Sequence, residues 1–105
     1  MDRNVEWLEP WDSLCIDGIL FEEELYKEVG ENHVLYKKKV TAIGRRYDRD
    51  EFLFQVNNSE FKIAVVHLTF SDKKQTDSNY PKTKLYTDFN DWINNCMIPD
   101  HIEFE

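Results

Sequence analysis

The histidines and cysteines are the side chains here whose types best suit metal binding or nucleophilic chemistry: Cys15, Cys96, His33, His67 and His101. Zinc needs ligands that converge, usually as close pairs on a turn or helix. No CxxC or HxxxH occurs, and Cys96 and His101 merely straddle Pro99. No metal and no cofactor are therefore expected. A cysteine nucleophile needs a base and an electropositive setting. Cys15 lies among acids and Cys96 on an apolar stripe, so both read as structural thiols. His33 and His67 remain as an acid–base pair. With Lys37, Lys38 and Lys39, or Arg45 and Arg46, holding phosphate, they would form a ribonuclease-like site. Their spacing does not select that arrangement, and there is no glycine-rich phosphate loop. No intrinsic catalysis is expected, and a small hydrolase with His67 in its site is kept as an alternative.

Charge offers a second kind of chemistry. The formal net charge is −8, unevenly spread: residues 1–31 hold ten acids against two bases, residues 32–84 eleven bases against six acids, and residues 85–105 five acids and no base. The basic segments "KKK" (37–39), "GRR" (44–46) and "DKK" (72–74), near Tyr36 and Tyr47, suggest nucleic-acid binding through the central strands. The long-range field of an acidic chain opposes a polyanion, so that reading is the alternative. The acidic end points to a basic protein partner. Glu22, Glu23, Glu24, Glu28 and Glu31 are its candidate surface, because three consecutive glutamates on a helix cannot all face a core.

Those side chains need a scaffold. With 105 residues, 41% hydrophobic and 14% aromatic, the chain suits one α+β domain over residues 1–105. No apolar run reaches the roughly 18 residues of a membrane span. The acidic N-terminus is not a secretory signal, so the cytosol is the expected compartment and reduced thiols are expected there. Residues 1–17 read as an irregular arm, tethered by Trp7 and Trp11. "GILFEEELYKEVG" (18–30) reads as a helix, with Phe21, Leu25 and Val29 at four-residue steps and Gly30 as its stop.

Three strands follow: "VLYKKKVTAIGRRY" (34–47), bent or closely approached at Gly44; "EFLFQV" (51–56); and "FKIAVVHLTF" (61–70). Short connections favour an antiparallel meander. Residues 71–84 read as a polar loop, mobile over 72–83, with Tyr80 and Pro81 placed to pin its end against the sheet. Phe89, Trp92, Ile93, Cys96 and Met97 form one apolar stripe on a last helix that Thr87 or Asp88 caps and Pro99 ends. "HIEFE" suits either a short strand or a frayed tail. The expected fold is thus a three-stranded antiparallel meander, with an N-terminal and a C-terminal helix packed on one face, the face carrying Phe52 and Phe54.

His67 is the odd residue in its strand. A two-residue turn at Asn58 and Ser59 sets Phe61, Ile63, Val65 and His67 on the phenylalanine face. A three-residue loop sets Ala64, Val66, Leu68 and Phe70 there instead, and turns His67 away. The shorter turn is preferred because it keeps Lys62 off that face. In either register burial among apolar neighbours should favour a neutral, hydrogen-bonded histidine. His67, Thr69 and Tyr80 join the glutamates as binding candidates.

The stretches "ENHVLYKKKVTAIGRRYDRDEFLFQV" and "KIAVVHLTFS", with Pro81 to Trp92, resemble a group of small bacterial proteins. That group shares a His-x-Leu-Tyr segment, a basic strand, an Ala-Val-Val-His-Leu-Thr-Trp strand and a Pro-containing loop before the last helix. The likeness spans roughly residues 31–93. His33, Tyr36, His67 and Thr69 match it, while Phe70 stands where Trp is usual. The resemblance implies a bacterial source and supplies no activity. By size and charge alone the chain also resembles immunity proteins that neutralise secreted toxins. The leading expectation is a non-catalytic protein-binding module, such as an immunity-type inhibitor.

Overall fold

Phe52, Leu53 and Phe54 are consecutive and all fully buried. A strand that is apolar on both sides has to be covered on both faces, and this requirement organises the molecule. The computed structural model describes residues 6–14, 18–57, 59–70 and 80–104. Its strands are β1 (Trp11–Ser13), β2 (Val40–Arg46), β3 (Glu51–Val56), β4 (Ile63–His67) and β5 (Thr83–Tyr86). They form one antiparallel sheet in the order β1-β2-β3-β4-β5. The sheet is therefore an antiparallel meander of five strands, not three.

Helix α1 (Gly18–Glu28) covers one face, where Leu25 and Val29 meet Phe52, Phe54, Ala64 and Val66. The C-terminal helical segment covers the other, where Trp92, Cys96 and Met97 meet Leu53, Ile63, Val65 and Trp11. The expectation of both helices on the phenylalanine face is thus corrected. Leaving Leu53, Ile63 and Val65 in water would forfeit about 1.5–3 kcal/mol for each side chain, so the second face needs its own helix.

The β3–β4 register corrects the preferred turn as well. Phe54 pairs with Ala64 and Phe52 with Val66, and the ladder closes where Val56 N–H donates to Lys62 O at 2.8 Å. Small Ala64 and Val66 thereby sit beside the two phenylalanine rings, while Ile63 and Val65 meet the indoles. Lys62 lies exposed at the rim, so the lysine that argued against this register costs little there. His67 then ends the Ile63–Val65 row and is exposed, across from Glu51. It is not the buried histidine expected from its apolar neighbours.

Other boundaries shift for local reasons. Residues 34–39 form turns and loop rather than strand, with Lys37 at φ 62°. Their fold is held by His33, whose Nδ1 accepts from Leu35 N–H at 3.0 Å. Strand β2 carries a bulge between Ala42 and Gly44. A Cβ at Gly44 would lie 2.7 Å from the Trp7 ring and 3.0 Å from Asp12 O; the close approach read from the sequence is present. Trp11 to Ser13, expected as irregular arm, pair with β2. Thr83 and Lys84, expected as loop, belong to β5. Residues 71–79, on which most of the mobility expectation falls, lie outside the described residues, as do residues 1–5 and 15–17.

The C-terminal segment does not stop at Pro99. Asp88 caps α2 (Phe89–Trp92) by accepting from Asp91 N–H. A π turn (Ile93–Met97) follows, in which Ile98 N–H reaches Ile93 O, and α3 runs on from Ile98 to Phe104. Proline lacks an N–H and crowds the carbonyl four residues back, and the wider turn just before Pro99 relieves both problems. "HIEFE" is therefore helical over residues 101–104. Its Phe104 ring meets Tyr47 edge-on at 6.1 Å. Among the described residues no helix is long and apolar enough to cross a membrane.

Candidate functional site

Beyond the exposed end of β4 the sheet and the C-terminal helix leave an open cleft of about 790 Å³. His67, Thr69 and Tyr80 all line it, so three of the candidates read from the sequence are brought together. Strand β4 delivers His67, the residues just after it deliver Thr69, and the approach to β5 delivers Tyr80. Around them stand Arg49, Lys82 and Lys84, which form no ion pair among the described residues. The Lys82 ammonium lies 5.8 Å from the centre of the Tyr80 ring.

Arg49, Lys82 and Lys84 were not singled out by sequence reasoning. Arg49 sat in a turn, and "KTK" was absorbed into a polar loop. The signal was present: Lys82 and Lys84 are two residues apart before apolar Leu85, the period that puts side chains on one face of a strand.

The fourth cation of the cleft, Arg46, is already committed. Arg46 is buried, with Nε 2.8 Å from Asp48 Oδ1 and Nη1 3.2 Å from Asp100 Oδ2. Burial opposes its charge, but the hydrogen bond to Asp48 and the charges of Asp100, Asp48 and Glu51 prevail and hold it above the ordinary arginine value. Cys96 and Tyr86 also line the cleft. Burial pushes the Cys96 thiol up to about 12, Asp100 adding to the effect. Burial, then the nearby Cys96, likewise raises the Tyr86 phenol. Both are neutral at ordinary pH, and neither is an activated nucleophile. No hydrogen bond joins the His67 ring to a second ionisable group among the described residues.

His33 lies elsewhere and is spent on structure. Its Nδ1 accepts from Leu35 N–H, so the ring proton is on Nε2, which donates to Pro81 O at 2.9 Å and lies 3.1 Å from Thr83 Oγ1. Both nitrogens are engaged, and the histidine pair imagined for a ribonuclease-like site is not assembled. Among the described residues no group of three His, Cys, Asp or Glu is placed to hold a metal.

The acidic helix is also turned inward more than its sequence suggests. Glu22 accepts from Ala42 N–H at 3.0 Å. Glu28 is fully buried and takes the backbone N–H groups of Thr69 (2.9 and 3.0 Å) and Phe70 (2.8 Å). Glu24 is buried beside it, 3.5 Å from the Lys27 ammonium. The neighbouring Glu28, through a hydrogen bond that needs a proton on Glu24, and then burial raise the Glu24 carboxyl above its ordinary value. Its buried Oε2 accepts no hydrogen bond among the described residues, which agrees with that direction. Only Glu23 and Glu31 of the five are exposed. The expected surface of five glutamates is corrected at Glu24 and Glu28, which are buried: a four-residue step that carries Leu25 and Val29 inward carries these two to the edge of the same face.

Comparison with protein-family models, with curated proteins and with solved structures gives no match.

Proposed function

We propose that this chain is a non-catalytic protein-binding module whose contact surface is the basic cleft beside β5. One observation carries the proposal. Arg49, Lys82 and Lys84 converge on a concave surface without ion pairs among the described residues and outnumber Glu51, which lines it too, in a chain of net charge −8. Local positive charge against an acidic background steers encounter with an acidic surface in one orientation. An immunity-type inhibitor built this way would meet its target through the cleft. The acidic helix loses support as the contact surface, because Glu22, Glu24 and Glu28 are engaged with the chain itself. The nucleic-acid reading loses support as well: Arg46 is spent on Asp48 and Asp100, and the Arg45 guanidinium lies 5.0 Å from the Phe52 ring centre.

The test is capture of partners from a bacterial lysate by the wild type, by Lys82→Glu/Lys84→Glu, and by Glu23→Gln/Glu31→Gln. The lysine reversal should lose a protein that the glutamate variant retains, and association should slow as salt rises past about 0.15 M, where the screening length is about 8 Å. Loss on the glutamate variant alone would return the contact to the acidic helix. Capture that disappears with nuclease treatment would assign the cations to nucleic acid.

A further inference from the structure

We infer that β5 is a docking edge: an extended acidic segment of another protein adds to it as a sixth strand and places its carboxylates in the basic cleft. The inference rests on the cleft reading above and goes on to name the mode of binding.

Strand β5 ends the sheet, so one side of its backbone faces no strand among the described residues. Which groups point outward follows from the register. His67 N–H donates to Lys82 O at 2.9 Å, and Val65 pairs with Lys84 and Ile63 with Tyr86. Residues that exchange hydrogen bonds alternate along an antiparallel ladder. Lys82, Lys84 and Tyr86 therefore turn their backbone groups toward β4, and Thr83 and Leu85 turn theirs away. Among the described residues no strand takes this edge, which offers the N–H and C=O of Thr83 and the N–H and C=O of Leu85, spaced for one incoming strand.

The side chains choose the occupant. Lys82 and Lys84 lie in register with His67 and Val65, on the cleft face, about 7 Å apart along the strand. An added strand presents alternate side chains at that same spacing, so acids two residues apart would meet both ammonium groups. Arg49 lines the same cleft. A second copy of β5 is a poor occupant, since antiparallel self-pairing would bring lysines against lysines, the usual protection of an exposed edge.

The probe is an octapeptide of alternating Glu and Thr, with a control of the same sequence methylated on every backbone nitrogen, each titrated into the full chain at low salt. The Glu-Thr peptide should bind at least about tenfold more tightly than its methylated form and should slow hydrogen exchange at the Thr83 and Leu85 amides. Leu85→Pro removes only an outward-facing N–H, a change that edge strands tolerate; it should melt as a folded protein and bind no better than the methylated pair. Equal binding of both peptides, abolished by Lys82→Glu/Lys84→Glu, would overturn strand addition and leave the basic cleft in place. Binding of neither peptide would overturn the cleft reading itself. Thr83 and Leu85 amides already protected in a peptide-free dimer would give the edge to a second copy and overturn the inference.

Discussion

Glu28 and Phe70 are 42 residues apart, and the Phe70 N–H reaches Glu28 Oε2 at 2.8 Å. The same carboxylate takes the Thr69 N–H, so one buried side chain of α1 gathers two successive backbone donors just past β4. Phe70 is at φ 55°, a left-handed conformation that costs a bulky residue energy and that the carboxylate helps to hold. Its ring then lies edge-on to Phe21 and Phe52. Glu28→Ala should orphan both donors and cost about 3 kcal/mol. Chemical denaturation measures the loss, and hydrogen exchange should quicken at Thr69 and Phe70 before other amides of the sheet. A loss below about 1 kcal/mol would mean that water replaces the carboxylate without penalty.

Glu24 gives the pH dependence of this corner. Its folded-state value is raised above the ordinary 4.5, first by the hydrogen bond to Glu28 and then by burial. The folded state thus holds the proton more tightly than the unfolded chain, and that contribution is complete below about pH 4.5 and lost as pH rises through the raised value. Glu24→Gln keeps a donor toward Glu28 at every pH. The variant should be more stable than wild type at pH 7, with the gap closing as pH falls toward 4.5. Losing the Lys27 pair subtracts only about 0.3–0.5 kcal/mol. Parallel stability curves across that range would exclude the shared proton.

How far these features were legible in the sequence depends on which physical signal each one leaves. Phe21, Leu25 and Val29 give α1 by period, and Phe52 to Val56 give β3. The second sheet face was hidden because Leu53, Ile63 and Val65 alternate with residues just as apolar, so period alone could not say that both faces are covered. The register turned on Lys62, whose penalty vanishes at an exposed rim that no local pattern reveals. Strand β5 was missed because a half-exposed edge strand has no apolar stripe to show. The cleft shared this fate. His67, Thr69 and Tyr80 were legible as residue types, whereas Arg49, Lys82 and Lys84 acquire meaning only when β4 and β5 pair.

Gly44 tests the seam between the N-terminal segment and the sheet. A Cβ there would sit 2.7–2.8 Å from two atoms of the Trp7 ring, and Trp7 in turn lies 5.9 Å from the Trp92 ring. Neither the Asp12 carbonyl nor the packed indole can yield without loss. Gly44→Ala should cost about 1–3 kcal/mol and shift tryptophan emission to the red as Trp7 moves toward water. Unchanged emission and melting would show that Trp7 does not pack on Gly44 in solution.

Asp100 and Cys96 supply the last test. The Asp100 carboxylate accepts from Trp11 Nε1 at 2.9 Å, pairs with Arg46 at 3.2 Å and stands 3.5 Å from the Cys96 sulfur. Burial first, opposed in part by a hydrogen bond to Tyr86 and reinforced by the Asp100 charge, pushes the Cys96 thiol up to about 12. At pH 8 roughly one molecule in ten thousand would then carry the thiolate, the form that reacts. Iodoacetamide at pH 8 should therefore modify Cys96 far more slowly in the folded protein than in denaturant, as read by mass spectrometry of the Cys96 peptide. Asp100→Asn removes the charge but keeps an oxygen for Trp11. It should raise the Cys96 alkylation rate while leaving the fold intact, and the increase should follow the thiolate fraction from pH 7 upward, by about tenfold per pH unit. A rate in the Asn variant that does not change with pH would mean that local opening, and not the carboxylate charge, governs this thiol.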